Sequence, residues 1–125
     1  ATILGVLAQR LVRKLCPHCK QESFLDEQEW QHLAVDYPLP RPEFVFKAVG
    51  CEECRHTGYK GRIGIYEFMP LSLTTKQLIG ADANLNQLRQ QAKKEGVEPL
   101  RIAGARKILE GVTTLEEVLR VVPLN

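Results

Sequence analysis

Two Cys-x-x-Cys pairs, Cys16-Pro17-His18-Cys19 and Cys51-Glu52-Glu53-Cys54, stand 31 residues apart in a chain of 125. Two residues between paired cysteines let both sulfurs turn to one side of a tight turn. Two such pairs facing each other complete a four-sulfur tetrahedron of the kind that holds zinc. Ligand type alone also admits iron, and four cysteines allow two disulfides in any of three pairings. The compartment decides between metal and disulfide. The first apolar residues are followed, not preceded, by Gln9, Arg10, Arg13 and Lys14, the reverse of a secretory signal peptide. A reducing compartment favours metal, so the expectation is one zinc ion on Cys16, Cys19, Cys51 and Cys54. A four-thiolate shell is closed. It leaves no position for a catalytic water, and the ion is expected to be structural. His18 and His56 flank the pairs and read as solvent-facing rather than as ligands, while Lys20 and Arg55 are placed to offset the charge of a four-thiolate zinc.

Around the cysteines the pattern predicts an α+β fold, mostly helical. Leu4, Leu7, Leu11 and Leu15, with Ala8 and Val12 beside them, have the spacing of an amphipathic helix over 3–15, ended by Cys16-Pro17. A short helix over 26–34 is capped by Asp26 and presents Trp30, Leu33 and Ala34. Three prolines between 37 and 42 exclude regular structure there. Strands are expected over 43–49 and 62–68, joined through Gly50, the second cysteine pair and the turn-rich Thr57–Gly61. Beyond Pro70 come short helices: 75–79 capped by Thr74, 85–95 capped by Asn84 and stopped by Gly96, and 100–110 opened by Pro99 and closed by Gly111. Overlapping capping boxes, Thr113-x-x-Glu116 and Thr114-x-x-Glu117, start a last helix through about Val121. The excursion from 16 to about 60 has a thin apolar core, chiefly Phe24, Trp30, Leu33, Phe44 and Phe46. A unit so poor in core needs a staple, and the cysteines supply it.

Several function classes are disfavoured. Residues 1–70 hold nine charges of each sign, and residues 71–125 hold eight basic and six acidic. No basic block interleaved with aromatics stands out, so nucleic acid is not an expected partner. No apolar run approaches the ~20 residues that cross a bilayer. There is no Gly-x-x-x-x-Gly-Lys-Ser/Thr phosphate loop, no His-Glu-x-x-His and no nucleophile elbow. Alone, these residues are expected to be inactive. The chain starts without Met inside a patterned segment and reads as part of something longer.

Three blocks carry a resemblance. Leu7-Ala8-Gln9-Arg10-Leu11-Val12-Arg13-Lys14-Leu15-Cys16-Pro17-x-Cys19 resembles the segment that enters the zinc element of bacterial type II secretion and type IV pilus assembly ATPases, the general secretory pathway protein E-like family. Gly50-Cys51-x-x-Cys54-x-x-Thr57-Gly58-Tyr59-x-Gly61-Arg62-x-Gly64-Ile65-Tyr66-Glu67 resembles the other half of that element, and Gly111 to Val121 is similar to the family's C-terminal ending. The resemblance implies a hexameric cytoplasmic motor, peripheral on the inner membrane through partners, that uses ATP and Mg²⁺ in the intact protein. Its partners would be the other subunits of the homohexamer and the inner-membrane platform and cytoplasmic-domain proteins of the machine. In this scheme residues 1–15 are a helix from the end of the RecA-like core, 16–61 the zinc subdomain, and 62–125 a returning strand and C-terminal helical bundle. Arg62 opens the returning strand and is a candidate nucleotide contact in the parent; the plainer reading is a salt bridge or a strand-edge charge. Two other readings compete: a free-standing zinc-ribbon module for nucleic acid, against which the charge balance counts, and a chaperone-type zinc module, which normally repeats its Cys-x-x-Cys knuckle more often than twice.

Overall fold

The computed structural model describes residues 5–81 and 84–122. Its frame is a long antiparallel ribbon. Strand β1 (Gly5–Leu15) pairs with β4 (Tyr59–Pro70), from Gly5 opposite Pro70 to Leu15 opposite Tyr59, with a register shift between Arg13 and Leu15. Between the two strands the chain makes the cysteine-bearing excursion: β2 (Gln21–Ser23), α1 (Glu27–Ala34), β3 (Val45–Lys47) and a single 3₁₀ turn at Glu52–Cys54. β2 and β3 form a second small antiparallel sheet. After β4 come α2 (Leu73–Gly80), α3 (Leu85–Lys94), α4 (Leu100–Leu109) and α5 (Leu115–Val121).

The expected helix over 3–15 is therefore a strand; Leu4, the first residue of its supposed stripe, lies outside the described residues. The reason lies in the two faces of the ribbon. Val12 is fully buried against the core, whereas Leu7 and Leu11 face outward and are 60% and 45% exposed. Apolar residues on both faces of a strand put Leu7 and Ala8, then Leu11 and Val12, at the four-residue spacing of a helix. Helix-favouring Leu, Ala, Gln, Arg and Lys reinforce the error, and long-range pairing with β4 overrides that local preference. On the β4 side the expected strand at 62–68 is present and longer, and the one expected at 43–49 shrinks to three residues.

The helices follow their punctuation closely. Asp26 accepts from the Glu29 N–H to cap α1, and Asn84 and Gln87 form a reciprocal capping box on α3. Thr74 does not cap α2; Ser72 does, with its hydroxyl accepting from the Thr75 N–H. Gly96 and Gly111 take positive φ where the helices end. α4 packs on β4, α5 on β1, and α1 on both helices. One core results, in which Val12, Ile65, Trp30, Leu33, Val45, Ala105, Ile108 and Val118 are buried together. Trp30 and Leu33 thus do not make a private core for the excursion; they join it to the helical part. Phe24, by contrast, is 98% exposed, and Phe44 is also outside, stacking edge-on with Phe46 at 5.7 Å between ring centres. No helix among the described residues is long and apolar enough to cross a membrane.

Candidate metal centre

Cys16 and Cys19 leave the end of β1, and Cys51 and Cys54 bracket the 3₁₀ turn just before β4. Pairing of Leu15 with Tyr59 at the ribbon's end sets the two knuckles face to face. All four Sγ atoms lie within 4.8 Å of one another. The separations Cys16–Cys51, Cys19–Cys54 and Cys51–Cys54 are each 3.8 Å. A regular tetrahedron with a metal–sulfur bond of about 2.3 Å has edges of about 3.8 Å. A disulfide needs about 2.05 Å. The spacing is that of ligands around an ion, and the cluster is able to hold one.

Backbone amides support the sulfurs. Gly50 N–H donates to Cys19 Sγ at 3.3 Å, and the N–H groups of Cys51 and Gly58 each donate to Cys54 Sγ at 3.2 Å. Such donors delocalise negative charge from a thiolate and fix its direction, the usual work of the outer shell of a metal site. They also bear on the acidity of Cys54 and Cys19. Burial pushes Cys54 up, but the amides of Cys51 and Gly58 outweigh it and bring the thiol down to about 6. For Cys19, burial prevails over its single amide donor and, with the neighbouring sulfurs, raises it to about 11. A metal taking all four as thiolates must displace protons, so its affinity falls as pH falls.

Gly58 is where the backbone tolerates least. Its φ is +83°, and a Cβ there would stand 2.5 Å from Ala48 Cβ and 3.0 Å from the Val49 nitrogen. Gly61 has the same φ, yet a Cβ would find only Lys14 Cδ, at 3.8 Å. Gly58→Ala is therefore expected to cost about 2–4 kcal/mol from left-handed strain plus overpacking, and Gly61→Ala only the strain, about 1–2 kcal/mol. Urea midpoints of the two variants check this; equal losses would mean the contact with Ala48 is immaterial.

His18 and His56 are exposed and outside the cluster, as expected of solvent-facing residues. Lys20 is turned away from the sulfurs: its Nζ donates to the Gly111 carbonyl at 2.9 Å and lies 4.4 Å from the Phe46 ring centre. Arg62 stands opposite Arg13 in the ladder, exposed, with no carboxylate at ion-pair distance among the described residues.

A set of contacts that sequence reasoning missed ties the base of the cysteine-bearing hairpin to the α4–α5 turn. Arg13 presents both backbone groups to the free edge of β1, where its N–H donates to Glu117 and its carbonyl accepts from the Thr113 hydroxyl. Leu15 N–H donates to the Val112 carbonyl, and the Tyr59 and Thr114 hydroxyls meet at 3.0 Å. The Arg13 guanidinium lies over the Tyr59 ring and grips the Glu117 carboxylate through Nε and Nη2. Thr114 does cap α5. Glu117, expected to close the box on the cap, spends its carboxylate on Arg13 and Arg120 instead. Nothing local signals a pairing between residues 104 positions apart.

Residues 1–120 match the family described as Type II/IV secretion system protein. The chain belongs to that family. It is 70% identical, over all 125 residues, to the type IV pilus assembly ATPase TfpB of Acinetobacter baylyi, covering 21% of that protein. It is 46% identical over 121 residues to type II secretion system protein E of Pseudomonas aeruginosa, covering 97% of this chain and 24% of the relative. It is also 39% identical over 119 residues to the type IV pilus assembly ATPase PilB of Thermus thermophilus, covering 95% of this chain and 13% of the relative. The chain thus spans between 13% and 24% of the length of these three relatives. As a type II/IV secretion system protein it takes the resemblance of its three sequence blocks from expectation to membership.

Proposed function

We propose that this chain is the C-terminal, zinc-binding portion of a hexameric ATPase that powers type II secretion or type IV pilus assembly. The portion itself is non-catalytic: it braces the motor and offers the metal-bearing element to partners. The observation that carries this reading is the tetrahedral four-sulfur spacing within a chain that matches pilus and secretion ATPases end to end. Zinc fits the donor set, with Cys16, Cys19, Cys51 and Cys54 as its ligands, and would supply structure rather than chemistry. ATP and Mg²⁺ would be handled by other parts of the intact protein.

Residues 1–15 are assigned here to the end of a RecA-like core, and the outer face of the ribbon that 5–15 form with β4 supports that reading. Leu7 and Phe68 are opposite one another there, with Leu11 and Tyr66 alongside, all about half exposed. An apolar sheet face left open in this way is what a RecA-like core, joined through residues 1–15, would cover. Arg62, on the same ribbon and with no carboxylate at ion-pair distance among the described residues, is the residue assigned to reach nucleotide in the parent. Membership of a hexamer docked on inner-membrane platform and cytoplasmic-domain proteins would place the whole on the cytoplasmic side of the inner membrane.

Elemental analysis and an ATPase assay on one preparation test this. One zinc per chain with no ATP hydrolysis is the expected result. A folded preparation without metal, or hydrolysis that disappears when a residue of this chain is changed, would sink it. In the intact ATPase, Arg62→Ala is expected to raise the KM for ATP; an unchanged KM and kcat would remove Arg62 from the nucleotide site.

A further inference from the structure

A cleft of about 490 Å³ opens between β1, the Asp36-Tyr37 corner after α1, helix α3 and the start of α4. It lies on the inner side of the ribbon, away from the cysteines and from the open apolar face. Arg10, Arg89, Lys93 and Arg101 line it, against Asp36 and Glu67. Among the described residues the lining carries more positive than negative groups, in a chain whose overall net charge is only +2.

Three of the cations, Arg10, Lys93 and Arg101, have contacts with carbonyls or a ring rather than with acids. Arg101 Nη1 donates to the Leu33 carbonyl at 2.7 Å, and its guanidinium lies 5.3 Å from the Tyr37 ring centre. Lys93 Nζ lies 5.4 Å from the same ring, and the Tyr37 hydroxyl donates to the Val97 carbonyl. Arg10 Nη1 donates to its neighbour's carbonyl. Elsewhere Arg13, Arg41, Arg106 and Arg120 each sit on a carboxylate. Among the described residues no carboxylate lies at ion-pair distance from Arg10, Lys93 or Arg101. Glu67, the acid on the cleft floor, is engaged: its Oε1 accepts from the Leu100 N–H at 2.7 Å, at the start of α4.

We propose that this cleft is a binding site for a soluble phosphorylated small molecule. Its volume falls within the range of about 300–1,000 Å³ usual for such ligands. Arg10, Lys93 and Arg101 outnumber Asp36 and Glu67 in the described lining, which suits a phosphoryl group of roughly −1.5 to −2 at neutral pH. Arginine forks match phosphate oxygens two at a time, and Lys93 adds a point charge. The Tyr37 ring, fixed through Val97, forms a wall between Lys93 and Arg101.

The test is a titration of the ¹⁵N-labelled, metal-loaded chain with pyrophosphate at 0.15 M salt, where exposed charges more than ~8 Å apart are screened. Saturable shifts confined to β1 near Arg10, the Tyr37 corner and 89–101 are expected. Arg10→Gln and Lys93→Gln, both at exposed positions, are each expected to weaken binding about tenfold, the loss of one charge-assisted contact. Lys47→Gln, at an exposed position outside the cleft, should leave it unchanged. Citrate, which offers carboxylates only, should bind at least about tenfold more weakly. Shifts spread over all surface cations, equal weakening by Lys47→Gln, equal binding of citrate, or no shift at millimolar pyrophosphate would each overturn the proposal. Phosphatidylglycerol vesicles that sediment the chain through Arg10 and Lys93, with no pyrophosphate binding, would overturn the soluble source and point to a lipid headgroup.

Discussion

Stripping the metal with a tight chelator at neutral pH is expected to abolish amide protection over 16–20 and 50–58 and to lower stability by about 5–10 kcal/mol. Small four-ligand zinc sites contribute ~10–16 kcal/mol of binding free energy, and whole domains are stable by only about 5–15 kcal/mol. The location of the loss follows from what else holds each segment. The knuckles bury Cys16 and Cys54 but few apolar side chains, and the amides of Gly50, Cys51 and Gly58 point at sulfur. Without an ion to gather the sulfurs, those amides turn to water. Trp30 and Leu33 lie between the knuckles in sequence, yet they are anchored in the core shared with α4 and α5. Protection at α1 should therefore outlast that at the knuckles, and protection at Val12 and Ile65 should outlast both. Hydrogen exchange followed residue by residue, with and without chelator, makes the comparison. Cys16→Ser should reproduce the chelated pattern, since three thiolates and a hydroxyl leave the shell incomplete. Unchanged protection and an unchanged melting temperature after chelation would mean that the cluster holds no structural ion.

How much of this was legible in the sequence differs by element. The cysteine cluster was readable because its information is local: two residues between ligands fix each knuckle, and only their meeting is long-range. Helices α1, α3, α4 and α5 were readable for the same reason, each announced by a cap such as Asp26, Asn84, Pro99 or Thr114. Strand β1 was not. Its residues favour helix, both its faces carry apolar side chains, and the partner that decides the matter begins at Tyr59, 44 positions beyond its last residue, Leu15. The core was misjudged for a related reason. Phe24 looks like a core residue by type but stands clear of the protein, whereas Thr113, polar by type, is buried where its hydroxyl meets the edge of β1. Composition states what a residue can do, and the fold's long-range pairings state what it does. Two features with no local signal, the Arg13–Glu117 tie and the cationic cleft, both arise where segments far apart in sequence converge.

Glu117→Gln is expected to destabilise the chain by about 3 kcal/mol at neutral pH and to flatten its response to acid. The Glu117 side chain is only 3% exposed, yet it is charged. Burial alone would push its carboxyl up. The Arg13 side chain, Arg120 and the Arg13 N–H outweigh burial and hold it at about 2, against an ordinary 4.5. A folded-state value below the unfolded one stabilises the native chain above the unfolded value, and this stability is lost as pH falls from about 5 towards 2. A downward shift of this size corresponds to about 3 kcal/mol. The amide keeps shape and some hydrogen bonding but gives no charge to Arg13, whose guanidinium then has only the Tyr59 ring and solvent. Glu117→Ala should cost more, about 3–5 kcal/mol, because the Arg13 N–H also loses its acceptor. Acid weakens metal binding too, so the wild-type curve alone decides nothing. The difference between wild type and Glu117→Gln cancels that contribution, since both keep the same four thiols. Urea unfolding of the two proteins at several values between pH 7 and pH 3 should show the gap narrowing as pH falls. A gap that stays constant would mean that Glu117 acts through packing and helix capping rather than through its charge. The tie between the cysteine-bearing hairpin and the α4–α5 turn would then rest on Leu15, Lys20, Thr113 and Tyr59.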